Sequence, residues 1–153
     1  MKIRKAKSSE IEKVRALFEA YVKELDVDLC FQNFAGEMEN LPGVYAEPHG
    51  SIFVLDNEKS LLVGAVAVKK LEDGICEMKR LYIEPNARKS GFGKKMALAI
   101  MKDAKNKGYK TMKLDTLERL KPAIEIYESL GFVSTKPYNF NPENTVLYFE
   151  KAL

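Results

Sequence analysis

The stretch Glu77-Met78-Lys79-Arg80-Leu81-Tyr82-Ile83-Glu84-Pro85-Asn86-Ala87-Arg88-Lys89-Ser90-Gly91-Phe92-Gly93 runs from a strand, through a short turn, into a glycine-rich segment that opens a helix. The strand half carries Met78, Leu81, Tyr82 and Ile83 among charged residues, and Pro85 ends it. The helix half is marked by its apolar spacing. Phe92, Met96, Ile100 and Ala104 recur every four residues, with Ala97 and Met101 beside them, up to a stop at Lys107-Gly108. A helix that begins just after glycines is an anion site in outline. Its first N–H groups lack partners inside the helix and carry the positive end of the dipole, while Gly91 and Gly93 let the backbone come close.

Counting excludes two phosphate motifs. A dinucleotide fingerprint needs a third glycine three residues after Gly93, where the chain has Met96. A P-loop needs glycine five residues before the Gly93-Lys94 pair and Ser or Thr after the lysine; the chain has Arg88 and Lys95.

Upstream, the runs Ser51 to Leu55, Leu61 to Leu71 and Ile75 to Ile83 are joined by Asp56-Asn57-Glu58-Lys59 and Glu72-Asp73-Gly74, which predicts an antiparallel meander. Gly64, inside the second run, marks a bulge or close packing. Further back, Ile3 to Ala6 reads as a strand. Ser8-Ser9-Glu10 then caps a helix carrying Ile11, Val14, Leu17, Phe18 and Tyr21, and a shorter helical piece spans Phe31 through Met38. Downstream come a strand at Thr111 to Leu114, a helix with Ala123, Ile124, Tyr127 and Leu130 closed by Gly131, and a last strand at Val146 to Phe149.

The size, 153 residues with 46% hydrophobic and 31% charged, fits one domain spanning 1–153. No signal peptide follows Met1-Lys2-Ile3-Arg4-Lys5 and no run approaches about 18 apolar residues, which points to a cytoplasmic protein with no membrane span. Cys30 and Cys76 fit neither a disulfide framework nor a zinc site. Charge is segregated: nine Lys and Arg between Arg88 and Lys113 are opposed only by Asp103, whereas Glu24, Asp26, Asp28, Glu37, Glu39 and Glu47 meet no cation in their own segment. Such blocks match a polyanionic cofactor and a cationic co-substrate, or are two solvated faces.

Arg88-x-x-Gly91-x-Gly93, after the strand Glu77 to Ile83 and the turn at Glu84-Pro85, resembles the pyrophosphate-binding motif of the GNAT superfamily of N-acetyltransferases. The segment Ala123-Ile124-Glu125-Ile126-Tyr127-Glu128-Ser129-Leu130-Gly131-Phe132 is similar to that family's last helix and the strand beyond. The order of elements agrees over nearly the whole chain. The resemblance implies an α+β fold of three layers, with a mixed, mostly antiparallel sheet between helices, and acetyl-CoA as donor. It places the backbone of Leu81, Tyr82 and Ile83 along the pantetheine arm. It places the amides of Lys89, Ser90, Gly91, Phe92, Gly93 and Lys94 on the pyrophosphate, with charge from Arg88 and from Lys94 or Lys95. Because side chains alternate along a strand, only one of the sets Met78/Arg80 and Lys79/Leu81 faces the cofactor.

The resemblance also makes Tyr127 the acid that protonates the departing thiolate, although Tyr127 equally fits the apolar stripe of its helix. An amine acceptor must lose a proton, and Glu77 is the candidate base, directly or through water; a surface glutamate paired with a neighbouring strand's lysine is the competing reading. The sole histidine, His49, lies in a Pro-Gly loop and reads as exposed. No cysteine has a histidine near it in sequence, which favours direct transfer in a ternary complex. Where many relatives carry asparagine, this chain has Leu120, which puts one cofactor contact in doubt. The acceptor is expected to be a small-molecule or peptide amine, cationic if the acidic residues between Asp26 and Tyr45 line its pocket, with Phe31, Gln32 and Phe34 beside them. Nucleic acid is disfavoured, since aromatics are not interleaved with the basic block. An acyl-CoA sensor without catalysis is the alternative function. The strand from Thr145 to Leu153 offers an edge for a homodimer.

Overall fold

The computed structural model describes residues 1–27, 33–88 and 90–153. Its strands are β1 (Lys2–Lys5), β2 (Ser51–Asp56), β3 (Leu62–Glu72), β4 (Ile75–Ile83), β5 (Thr111–Leu117), β6 (Val133–Ser134) and β7 (Val146–Ala152). They form one sheet in the order β1-β2-β3-β4-β5-β7-β6. Every pairing is antiparallel except β4 with β5. That exception has its cause in the connection: a parallel neighbour needs a crossover, and α3 (Phe92–Asn106) supplies it.

The helices α1 (Ile11–Leu25) and α2 (Phe34–Glu39) cover one face, and α3 with α4 (Lys121–Ser129) covers the other. The four-residue stripe of α3 lands as its spacing predicts: Met96, Ala97, Ile100, Met101 and Ala104 pack on Leu55, Val66, Val68, Cys76, Met78, Met112 and Leu114. On the opposite face Val14, Leu17 and Phe18 of α1 and Met38 of α2 meet Val54, Ala65, Ala67 and Tyr82. Covered on both sides, β3 reads as the nearly unbroken apolar run Val63 to Val68. Each fully buried Leu, Ile or Phe contributes about 1.5–3 kcal/mol, against about 0–1 for a surface ion pair, so these two clusters carry the fold.

Three local outcomes bear on the site. Gly64 answers to close packing, since a Cβ there would lie 3.1 Å from the Tyr82 carbonyl and 3.3 Å from Leu55 Cβ. β6, two exposed residues long, follows Phe132 where the family resemblance implies a strand beyond the last helix, and pairs with β7 at Glu150 and Phe149. β7 therefore has strands on both sides, and the free edge expected along the C-terminal strand is partly covered.

The decisive departure from a regular sheet lies between β4 and β5. Their ladder holds only Ile75 to Glu77 against Thr111 to Lys113, although β4 continues to Ile83 and β5 to Leu117. On its other side, β4's ladder with β3 slips between Ala65 and Ala67, where Arg80 has φ +61°. A bulge with one residue in the left-handed region bends its strand, and here β4 parts from β5 beyond Glu77.

Candidate functional site

From Met78 to Ile83 the β5-facing edge of β4 has no strand partner among the described residues. An extended polar ligand can take that place by strand addition. The bulge also overturns the expected alternation of side chains. Met78 packs with α3, whereas Arg80 reaches the opposite layer, donating to Glu37 of α2 from Nε (3.2 Å) and Nη2 (3.1 Å) and lying 5.1 Å from the centre of the Phe34 ring. Holding an arginine at positive φ costs about 1–2 kcal/mol, a cost set against this partly buried pair.

The strand ends in a 3-10 turn at Pro85–Ala87, and α3 begins after Gly91, whose φ of +76° and ψ of 7° place it in the left-handed region. Nothing lies within 4 Å of a Cβ built on Gly91, so the loop is open on that side. The first backbone bond of α3 runs from the Lys95 amide to the Gly91 carbonyl, which leaves the amides of Phe92, Gly93 and Lys94 without acceptors inside the helix. Gly93 serves packing: a Cβ there would stand 3.0 Å from Ile126 Cδ1 of α4. Lys94 is exposed in the first turn, and Lys95 lies over the Phe92 ring at 4.6 Å. Ser90 is exposed; Lys89 falls outside the described residues.

Arg88 departs from expectation. Its Nε donates to the Ile83 carbonyl at 2.7 Å, its two terminal nitrogens grip Glu24 of α1 at 2.8 and 2.7 Å, and its guanidinium lies 5.4 Å from the Tyr82 ring centre. This bidentate grip holds the Glu24 carboxyl below its usual range. The side chain is thus a clamp between α1 and the end of β4 and not a free cation above the loop. The Ile83 carbonyl, expected on the pantetheine arm, is taken as well.

Glu77 lies at the apex of the parting, at the last β4–β5 pair. It is only 2% exposed, so the surface reading fails, while the paired reading holds: Lys69 Nζ stands 3.8 Å from Oε1. A second partner has no counterpart in the sequence reading. The Tyr138 hydroxyl donates to Glu77 Oε2 at 2.6 Å across 61 residues of chain. Lys113 Nζ lies over the Tyr138 ring at 5.5 Å, Tyr148 meets that ring edge-on at 5.3 Å, and Asn139 bridges Asp115 (3.0 Å) and Tyr148 (2.9 Å). The two aromatics of Pro137-Tyr138-Asn139-Phe140, in a connection of mostly polar residues, are the sequence signal that could have drawn attention to this loop.

Tyr127 belongs to the α3–α4 cluster and packs edge-on against Phe132 at 5.9 Å. Burial pushes its phenol above the ordinary range, with further pushes from Tyr21 of α1 and Asp115 of β5. Tyr21 belongs to the opposite layer, against Tyr82 at 5.9 Å. A phenol on one face that feels charge from the other is possible here because β4 and β5 have separated. The parting therefore has Glu77 at its apex, the unpaired edge of β4 along one side, and the start of α3 beyond the end of β4.

Residues 12–132 match the acetyltransferase (GNAT) family model. The chain belongs to the GNAT family. It is an acetyl-CoA-dependent acetyltransferase. An uncharacterized N-acetyltransferase of Schizosaccharomyces pombe is 38% identical over 140 residues, covering 91% of this chain and 86% of the relative. One from Dictyostelium discoideum is 28% identical, covering 93% and 94%. Among solved structures, a GNAT-family acetyltransferase from Staphylococcus aureus superposes with a TM-score of 0.81 at 18% identity, covering 99% and 98%. A phosphinothricin acetyltransferase from Sinorhizobium meliloti, solved in complex with AcCoA, gives 0.75 at 15% identity, covering 99% and 88%. The sheet with helices on both faces is the fold of these neighbours.

Other expectations for this GNAT enzyme divide. Of the acidic block, Glu24 is paired with Arg88, Glu37 with Arg80, and Glu47 with Lys5 and Lys107. Of these three, Glu37 lies in the segment between Asp26 and Tyr45, so its pairing with Arg80 takes one carboxylate from the support for a cationic acceptor. Asp28, Cys30, Phe31 and Gln32 lie outside the described residues. His49 is exposed, and its carbonyl accepts from the Tyr109 hydroxyl at 2.6 Å. Cys76 is buried, its thiol pushed up to about 12, chiefly by burial. Leu120 caps α4 with no side-chain bond, as its lack of a polar group requires. No described helix is long and apolar enough to cross a membrane.

Proposed function

We propose that this enzyme transfers an acetyl group to the nitrogen of a primary amine by direct attack in a ternary complex, with Glu77 as base and Tyr127 as acid. The observation that carries this reading is the parting of β4 and β5, which leaves the buried Glu77 carboxylate at its apex beside an unpaired strand edge; the likeness of α4 to the family's last helix supports Tyr127 as the acid. Acetyl-CoA, when bound, supplies an activated thioester carbon. The free edge of Met78 to Ile83 suits its amide-bearing arm, less the Ile83 carbonyl, and the amides of Phe92, Gly93 and Lys94, with the Lys94 charge, suit its phosphates.

Glu77 is ordered, buried and an acceptor, as a base must be. It takes the proton that the ammonium group loses before or during attack, directly or through one water. Tyr127 then gives its proton to the departing sulfur. A phenol is a weaker acid than a thiol by about 1.5 units in water, and burial widens that gap on the phenol's side. The same poor solvation raises the proton affinity of a thiolate formed beside it, so the two shifts offset one another. The described cysteine, Cys76, is held as a thiol by burial, which fits transfer without an acyl-enzyme.

A thiol-release assay with acetyl-CoA and a panel of anionic, neutral and cationic primary amines tests the reading. Turnover with one class above the hydrolysis background supports it and names the acceptor class. Tight acetyl-CoA binding with no turnover across the panel would favour the sensor instead.

A further inference from the structure

We infer that Tyr138 is a positioning residue for Glu77, fixing that carboxylate at the apex where β4 and β5 part. The inference rests on the reading of Glu77 as the base. Among the described residues Tyr138 makes the short hydrogen bond to Glu77, 2.6 Å to Oε2. The other groups facing this carboxylate act at longer range. Lys69 of β3 stands 3.8 Å from Oε1, and Lys113 of β5 is the register partner. Lys79 of β4, Tyr45 beyond α2 and Tyr148 of β7 each feel the charge of Glu77, as does its neighbour Cys76.

The loop that carries Tyr138 is pegged so that the hydroxyl has one place to go. The ring is held edge-on by Tyr148 and covered by Lys113, and the next residue, Asn139, donates to Asp115 of β5 and accepts from the Tyr148 hydroxyl. Burial, followed by the charges of Glu77 and Asp115, raises the Tyr138 phenol above its ordinary range. It therefore remains a donor throughout the working pH range. A hydroxyl held at this distance and donating to Oε2 fixes the carboxylate in one orientation. The pair thus couples a residue of β4 to the segment between β6 and β7, and gives that segment a part in catalysis through Glu77.

The test is the pH profile of kcat/KM for a reactive amine in the wild type and in Tyr138→Phe, Glu77→Gln and Asn139→Ala. Removing the donor should move the acid limb of Tyr138→Phe upward by about one unit, with the acetyl-CoA KM unchanged. Fluorotyrosine at position 138 keeps the side chain's shape while strengthening the donor, so its limb should move downward; this guards against a folding defect in the phenylalanine variant. Asn139→Ala removes one peg of the loop without touching Glu77, and its limb should move in the same direction as that of Tyr138→Phe by a smaller amount. A limb unmoved in both position-138 variants, with the limb lost in Glu77→Gln, overturns the role of Tyr138 and leaves the base in place. A limb that survives Glu77→Gln removes the base assignment, and this inference with it.

Discussion

Because burial holds the Tyr127 proton tightly, with Tyr21 and Asp115 adding to the effect, the phenol can act only as a donor to a partner that is itself poorly solvated. Tyr127→Phe removes that donor and keeps the edge-on packing against Phe132. Turnover should fall on the order of 100-fold, with the acetyl-CoA KM nearly unchanged and stability within about 1 kcal/mol of wild type. Unchanged kcat would assign the proton to another group. The two loop glycines should separate in the same spirit. Gly91 has open space but a φ of +76°, so Gly91→Ala should cost about 1–2 kcal/mol in urea denaturation. Gly91→Asn should cost less, because asparagine tolerates that conformation. Gly93→Ala meets only the far end of the Ile126 side chain, at 3.0 Å, so the neighbour can yield and the loss should be smaller than for Gly91→Ala. The reverse order would mean that the start of α3, not the turn before it, limits the fold of this loop.

Where β1 meets α1, one arginine joins three elements: Arg4 donates to both oxygens of Glu10, just before α1, and to both oxygens of Asp56 at the end of β2. Arg4, helped by the Lys7 amide, lowers the Glu10 carboxyl to about 2 against the pull of burial. The unfolded carboxyl titrates near ~4.3, so the folded state binds fewer protons; the stabilisation is complete above that value and is lost as pH falls toward about 2. Glu10→Gln should lower the melting temperature at neutral pH and shrink the drop between about pH 5 and pH 3. An undiminished drop would place the acid sensitivity elsewhere. This corner was half legible, because Ser8-Ser9-Glu10 announces a helix start while its partner Asp56 lies 52 residues from Arg4. The same division holds across the molecule. α3 and the meander are written in local periodicity, and so is the glycine entry to the helix. The bulge at Arg80 carries no local mark, since arginine has no preference for positive φ and tertiary contacts, among them the pairing with Glu37 and the Phe34 ring, accompany the slip against β3. The Tyr138–Glu77 bond and the Arg88–Glu24 clamp are likewise meetings of distant segments, for which charge or aromaticity at one position names no partner.

At the scale of the whole molecule, the short β4–β5 ladder divides the sheet into an arm from β1 to β4 and an arm of β5, β7 and β6. Few backbone bonds join the arms, so part of the bridging falls to side chains: Tyr138, which donates to Glu77 at the apex, and Arg119, which donates to the Leu25 carbonyl at the end of α1. Filling the parting with a ligand that hydrogen-bonds β4 should therefore stiffen the junction more than either arm. Acetyl-CoA at about 100 times its Kd adds about 2.7 kcal/mol to every amide that exchanges by global unfolding, a uniform gain. Hydrogen exchange should show that uniform gain in β2 and β3, where both edges are already paired. Additional protection should appear at Met78 to Ile83 and at Phe92 to Lys94, whose amides exchange through local opening until the ligand occupies them. Protection of equal size along the whole chain would mean that acetyl-CoA stabilises the fold without using the free edge of β4. Extra protection confined to β1 and β2 would move the donor site out of the parting altogether.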